Sequence, residues 1–424
     1  MNPEKVLDVP DNAPLPVDSA EESAPAMDQP RGWIVVFACF FNLMFSIGTT
    51  TTFGVYLQEY ELVEFPHASA SQLSWIGTLQ GSMMFFFGIM VGILCEHIDT
   101  RILSAFGSLM AGLALIVASF CNSPWKLLLT QGLFYGFGGS FLYTTGLTLA
   151  PQWFSKYRAL ATGIVIAGSG IGGLWLSFAI NSMIQNISRQ WALRITGLIT
   201  IVVCGALSPL MVMRVKPKKR KSIADFSVIR DKKFILLLFS ALLGASGFYM
   251  PFYFMPTYTV MTFNMTEAWG TNVASIMNGS GVVGRIVMGL LGDKFGALNT
   301  LIIATLASSI SILVLWLPFK TFGTLIAAAV VFGFSSGAIV SLIPVVTANT
   351  FGVGRLPSIM GFVMLGYTIG ALISSPPGGA ILDKYGHGTN FSGLIIYGGV
   401  FLAAAVVTEV VLRVIVSRKL WIKV

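Results

Sequence analysis

Charge is scarce in this sequence. Asp, Glu, Lys and Arg make up 10% of its 424 residues, where a soluble domain carries about 25%. That is too little to solvate a soluble fold of this size, which excludes an ordinary cytosolic enzyme. The net charge of +8 would suit nucleic acid, but the bases are spread over connectors or gathered in one short run, so no nucleic-acid partner is expected. Histidine occurs three times and cysteine four times, with no C-x-x-C pair and no ligand spacing. No metal site follows, and Cys39, Cys95, Cys121 and Cys204 read as small apolar packing residues. Gly168, Gly170, Gly172 and Gly173 are not followed by Lys-Ser/Thr, so they are no phosphate loop, and no cofactor is expected. A clustered nucleophile, base or metal set inside the apolar segments is also missing, which argues against an enzyme.

Apolar residues are what the chain has in abundance: 55% hydrophobic, with a mean hydropathy of +0.79. Twelve apolar segments can be marked, at 33–57, 72–96, 102–121, 125–150, 159–184, 191–213, 234–263, 267–292, 298–318, 321–349, 356–382 and 390–416. Each reaches the roughly 20 residues that cross a hydrocarbon core as a helix. They are continuously apolar rather than alternating, which disfavours a β-barrel. The expected fold is an all-α membrane protein of twelve transmembrane helices in two pseudo-symmetric six-helix bundles. Residues 1–30 hold seven acids and one Lys and read as a disordered tail without the basic start of a signal peptide. The halves are then 31–213 and 234–424, joined by the basic linker 214–233, in which Ile223, Phe226 and Ile229 suggest a short helix lying on the inner leaflet.

Orientation follows from the bases. With both termini cytoplasmic, 20 of the 26 Lys and Arg fall in cytoplasmic segments and 5 outside, with Arg285 inside a span. The sequons at Asn186, Asn264 and Asn390 then lie outside. A repeat supports the architecture. GLLGDKFG at 289–296 and GAILDKYG at 379–386 each end a span, and should lie on opposite sides of the membrane, as in a three-plus-three inverted repeat.

Gly92–Glu96 and Gly289–Asp293, both G-x-x-x-D/E, resemble the hinge motif of the major facilitator superfamily. The resemblance spans about 31–424. It implies that these acids cap a neighbouring helix and pair with bases such as Arg101, Lys156 and Arg158, shutting the cytoplasmic side. WFSKYRALATGIVIAGSGIGG at 153–173 resembles the fifth-span signature of the monocarboxylate porter family. Asp28 and Gly32-Trp33 resemble its first-span signature, and SLIPV at 341–345 and SPPGGAILDKYG at 375–386 are similar to fungal members. This resemblance implies a symporter of a small monocarboxylate, with a proton as partner, in the plasma membrane. Two positions depart from it. The first span has Thr49–Thr52 where the animal members have Lys, and the position four before Arg285 is Gly281 rather than Asp. These departures bring in an alternative, an efflux pump for a secondary metabolite; a non-transporting membrane sensor that kept the fold is the reading from another class.

Arg285 is the sharpest candidate for the site. A guanidinium in hydrocarbon costs at least about 2.5–3.5 kcal/mol, so it should face protein or water; its planar fork suits an anionic substrate, and a structural pair or a snorkelling base is the alternative. Asn278, two turns earlier, and Asn42, midway along the first span, could hydrogen-bond substrate or equally bridge two helices. Tyr249, in SGFYMPFYFMPTY at 246–258, could line the cavity or simply pack against neighbouring helices, and Pro251 and Pro256 permit a kink that suits a gate or a bent cavity-lining helix. Glu409 and Arg413, four apart on the last span, read as a local ion pair.

Overall fold

The computed structural model describes residues 26–68, 70–215, 226–318, 321–386 and 390–417. The acidic tail up to residue 25 and the linker bases at 216–221 lie outside the described residues. Of the surface helix expected in the linker, only Phe226–Arg230 is described. It is a single 3₁₀ turn with Val228 buried and Ile229 exposed.

Among the described residues the chain is all helix, and eleven helices are long and apolar enough to cross a membrane. The segment missing from those eleven is the fourth, built from Pro124–Leu127, a π-helical stretch at Leu128–Phe134, and Tyr135–Trp153. Its composition explains the difference from the other eleven. Every residue of Tyr135–Trp153 except Phe137 is buried, so protein surrounds this helix. It can carry Gly, Ser and Thr where a lipid-facing helix needs apolar residues. With it, the described residues form twelve helical spans.

The first span is Pro30–Thr51 continued by Phe53–Glu59, and the second is Ala70–Phe86 with Gly88–Leu94. The third is Thr100–Ala118, the fifth Arg158–Asn186 and the sixth Arg189–Leu207. The second half runs Lys232–Phe263, Glu267–Phe295, Ala297–Ile310 with its π-helical end Ser311–Trp316, Phe322–Phe351, Leu356–Lys384 and Ser392–Val416. Pro251 and Pro256 lie inside the seventh span, which continues as helix through both. Large apolar side chains such as Val202, Ile303 and Val407 stand exposed on the outside. A lipid solvent accommodates them; water would not.

The two six-helix bundles meet along two seams, the fifth span against the eighth and the second against the eleventh. Missing side chains make both seams close. A Cβ on Gly92 would collide with the carbonyl of Pro357, and one on Gly361 would stand 3.0 Å from Gly88 O. On the other seam Gly163 lies against the carbonyl of Arg285, and a Cβ on Gly289 would stand 2.7 Å from Ala159 O. Where the glycines let the backbones come this near, the helices pack by dispersion. The two copies of the eight-residue repeat end the eighth and eleventh spans at opposite ends of the bundle, as an inverted repeat requires.

Candidate functional site

The eighth span sets the geometry. It runs antiparallel to the fifth span across the seam, and Asp293, Arg285 and Asn278 mark three levels along it. Asp293 is deepest toward the end of the bundle that carries Lys156, Arg158 and Lys294, called here the basic end. Its Oδ1 accepts from Ala159 N at 2.8 Å and its Oδ2 from Leu160 N at 2.9 Å. A carboxylate of one half thus caps the first turn of a helix in the other half, where unsatisfied N–H groups and the helix dipole favour negative charge. Beside it Arg158 Nη1 donates to Asn349 Oδ1 at 2.6 Å, a second polar bridge between the halves.

A further clasp lies at the same end. Asp28 takes a left-handed backbone conformation at φ 60, which Asp tolerates better than most residues. Its carboxylate accepts from Ser155 N at 3.2 Å and Lys156 N at 3.1 Å, and its own N–H donates to Trp153 O. The start of the first span is tied in this way to the loop that leads into the capped helix. Lys156 and Arg101 are themselves exposed. Lys156 Nζ sits over the Tyr157 ring at 5.2 Å, and the Arg101 backbone N–H donates to Asp99.

Glu96 does not repeat the role of Asp293. Among the described residues its carboxylate caps no helix and forms no ion pair; the acid that caps the third span is Asp99. The hinge motif of the first half keeps its glycine at the seam, through Gly92, but its acid stands aside.

At the far end of the bundle a cavity of about 770 Å³ opens between the halves. The first and fifth spans form one wall, through residues such as Thr51, Gln58 and Ser177, and the seventh and eighth the other, through Pro256, Thr271 and Asn278. None of the lining residues is charged. Asn278 donates its side-chain N–H to Ala274 O at 3.0 Å, which leaves its amide oxygen for the cavity. Asn186, Asn264 and Asn390 are all exposed at this same end.

Arg285 lies between the cavity and the Asp293 cap. It is 8% exposed, and its Nε and Nη1 have no hydrogen-bond partner. Its carbonyl lies level with Gly163, but its Nη1 reaches Gly170, where a Cβ would stand 2.6 Å away. Gly173, one turn further along the same helix, lines the cavity. The side chain therefore rises along the seam toward the cavity floor, the direction a helical Cα–Cβ bond sets. Tyr143 of the fourth span lies within electrostatic reach of Arg285 and of Tyr249, and Tyr249 within reach of Tyr367. Phe85 joins this belt, 5.4 Å from Tyr143 and 5.9 Å from Tyr367 between ring centroids.

Three expectations are corrected here. Asn42 does not face the cavity. It is fully buried inside the first half, where its Nδ2 donates to Ser104 Oγ at 2.9 Å and approaches Met211 Sδ, so it bridges helices. Tyr249 is half-buried and stacks on Tyr253 at 6.3 Å, outside the cavity lining. Glu409 bonds to hydroxyls rather than to Arg413, whose Nε donates to Asn299 Oδ1. Tyr143, Tyr367, Phe85 and Gly170 carried no signal in the sequence, because aromatic residues and glycines occur on every face of these spans.

The sequence model of the Major Facilitator Superfamily matches residues 35–287 and 269–421. This chain belongs to that superfamily. Agnestins efflux protein AgnL12 of Paecilomyces divaricatus is 30% identical over 384 residues, covering 89% of this chain and 87% of that protein. MFS-type transporter pynF of Aspergillus niger is 29% identical over 96% of this chain and 94% of its own length. The crystal structure of the E. coli fucose:proton symporter FucP superposes with a TM-score of 0.70 at 13% identity, covering 89% of this chain and 98% of that one; this shows the fold. As a member of the superfamily the chain is a multi-pass membrane transporter of a small molecule, not an enzyme. The relatives are named as efflux or MFS-type transporters rather than as monocarboxylate porters.

Proposed function

We propose that this transporter exports an amphipathic organic anion, a secondary metabolite by class, across the plasma membrane by alternating access, with both termini cytoplasmic. The observation that carries the reading is Arg285. It is a buried guanidinium with two unpartnered nitrogens, aimed at the floor of an otherwise uncharged cavity. A buried cation without a partner is costly, and an anionic substrate group would remove that cost while gaining charge-assisted hydrogen bonds. The mixed wall of hydroxyls, amides and apolar side chains would hold the rest of the molecule, with Asn278 contributing a hydrogen bond. On this reading the Asp293 cap and the Arg158–Asn349 bridge close the cytoplasmic side, and the conformation is the outward-open state of the cycle. Pro251 and Pro256 would let the seventh span bend as the halves rock. The efflux name of the Paecilomyces relative supports export.

Import of a small monocarboxylate with a proton is the second reading, supported by the resemblance at 153–173. One experiment separates the two. Purified protein in liposomes is given labelled aliphatic and aromatic carboxylates, with and without a pH gradient. Export of amphipathic anions predicts counterflow of the larger aromatic acids that Arg285→Ala abolishes while the protein stays folded. Transport restricted to short-chain acids and driven by an inward proton gradient favours the second reading. Unaltered flux in Arg285→Ala removes the anchor from both.

A further inference from the structure

Alternating access around Arg285 makes no use of Glu409. This carboxyl sits on the twelfth span, 0% exposed, away from the cavity. Its Oε1 lies 3.0 Å from Ser240 Oγ on the seventh span and 3.1 Å from Thr305 Oγ1 on the ninth. Its Oε2 is buried without a partner. Among the described residues no Lys, Arg or His forms an ion pair with it. Arg413, one turn along the same helix, donates to Asn299 Oδ1 and to the carbonyl of Ser417. Tyr367 of the eleventh span is within electrostatic reach. The ninth span, 297–316, has no ionisable residue, and the seventh has only Lys232 and Lys233 at its start and the tyrosines at 249, 253 and 258.

Counting hydroxyl protons decides which form of the carboxyl fits. Thr305 has one, and Leu301 O is the nearer acceptor, at 2.9 Å. With that proton given to Leu301, Thr305 Oγ1 is an acceptor facing Glu409. An ionised Glu409 would then have a single donor, Ser240, for two buried oxygens, and a buried carboxylate so poorly solvated is strongly disfavoured. A carboxylic acid fits instead: its own O–H donates to Thr305 while Ser240 donates to it.

We infer that Glu409 is a proton-binding site, loaded in the outward-open state and emptied as the seventh span moves. The seventh span supplies both Ser240 to the carboxyl and Pro256, Thr257 and Val260 to the cavity wall. A shift of this span against the twelfth would take Ser240 away and admit water. The O–H bond of Glu409 then breaks, its electron pair stays on the carboxylate, and the proton passes to that water. The substrate site and the proton site are separate but share one moving helix.

Two measurements on the full chain test this without a substrate. Infrared spectra at neutral pH should show the C=O band of a protonated carboxylic acid that Glu409→Gln removes. Absence of that band from the unaltered protein overturns the inference. For coupling, Ser177→Cys places a thiol in the cavity wall, and the four native cysteines are buried. Labelling by an impermeant maleimide in liposomes, taken relative to the exposed Asn186→Cys, should fall as pH rises. Added Glu409→Gln should abolish that pH dependence and hold labelling at its acidic level. An unchanged profile in Glu409→Gln overturns the coupling. Thr305→Val is the second variant should the first not fold. It removes the acceptor of the acid proton and should move the labelling midpoint to lower pH, and an unmoved midpoint counts against the site.

Discussion

Two charges of the eighth span, Arg285 and Asp293, stand eight residues apart and meet opposite fates. Asp293 has both oxygens satisfied by backbone N–H groups of the other half. Arg285 keeps two buried nitrogens without partners. Both sit on the same seam, against the same fifth span, so the helix environment alone does not separate them. The difference is whether the protein supplies the counter-group. Where it does, at the basic end, the halves are held together. Where it does not, beneath the cavity, the guanidinium is left for the ligand that the proposed function assigns to it. On the proposed function, the charge answered by its own chain closes the gate and the charge left unanswered selects what passes through it.

Removing the unanswered charge should have the largest effect on transport. Losing one partner of a desolvated charged hydrogen bond costs about 2–5 kcal/mol, so Arg285→Ala should weaken anion binding by roughly thirtyfold or more. Thermal unfolding in detergent should show no loss of stability, since an unpartnered buried charge is gone. A marked fall in melting temperature would mean that Arg285 is structural. The answered charge should behave the other way. Asp293→Ala removes a helix cap worth about 0.5–2 kcal/mol, which shifts the balance of open and closed forms by a factor of up to about 30. Labelling of Ser177→Cys from the far end should drop as the basic end opens, while the intrinsic affinity for anion is kept.

How far the sequence could foresee this contrast depends on distance along the chain. The spans were readable because about 20 apolar residues have one outcome in lipid. Their number is readable as well, since 125–150 is long and apolar enough to mark in the sequence, although its Gly, Ser and Thr leave that helix out of the eleven that are long and apolar enough in the structure. Arg285 was readable because a lone base in an apolar run needs a reason. Its rise toward Gly170 was not, since that depends on a helix far away in sequence. Asp293 was legible as a motif, but the same pattern at Gly92–Glu96 leads to no cap among the described residues. A motif fixes the glycine approach, which is local to the seam; the acid's partner depends on how the opposite helix begins. Spacing alone pairs Glu409 with Arg413, and it cannot show Ser240 and Thr305 coming in from two other helices.

A smaller effect sharpens the contrast at Arg285 itself. In Gly170→Ala the new Cβ would stand 2.6 Å from Nη1 and from Val282 Cγ2. Nη1 is the far end of a flexible side chain and yields, while Val282 Cγ2 sits on a stiff β-branched side chain and gives only with a small local shift, so the fold should survive with a modest loss of stability while the guanidinium is pushed off its line to the cavity. KM for anion should rise several-fold with little change in the maximal rate. Gly163→Ala would instead press on the Arg285 carbonyl, which cannot yield without parting the seam, and should lower stability as well.

The smallest transport effect is expected at Asn42, which fixes the boundary between site and scaffold. Its hydrogen bond to Ser104 joins the first and third spans inside one half, so it moves with that half through the whole cycle. Asn42→Ala removes a bond worth about 0.5–1.5 kcal/mol net and leaves the Ser104 oxygen without the N–H donor it accepts from. Unfolding should come at a slightly lower temperature, with KM and maximal rate unchanged. A change in KM without a change in melting temperature would move Asn42 to the substrate path and extend the cavity into the first half. The double variant Asn42→Ala with Ser104→Ala sharpens the test. If the residue is only a bridge, the pair should be no less stable than Asn42→Ala alone beyond the small loss of the second hydroxyl, because both ends of the same bond are then gone.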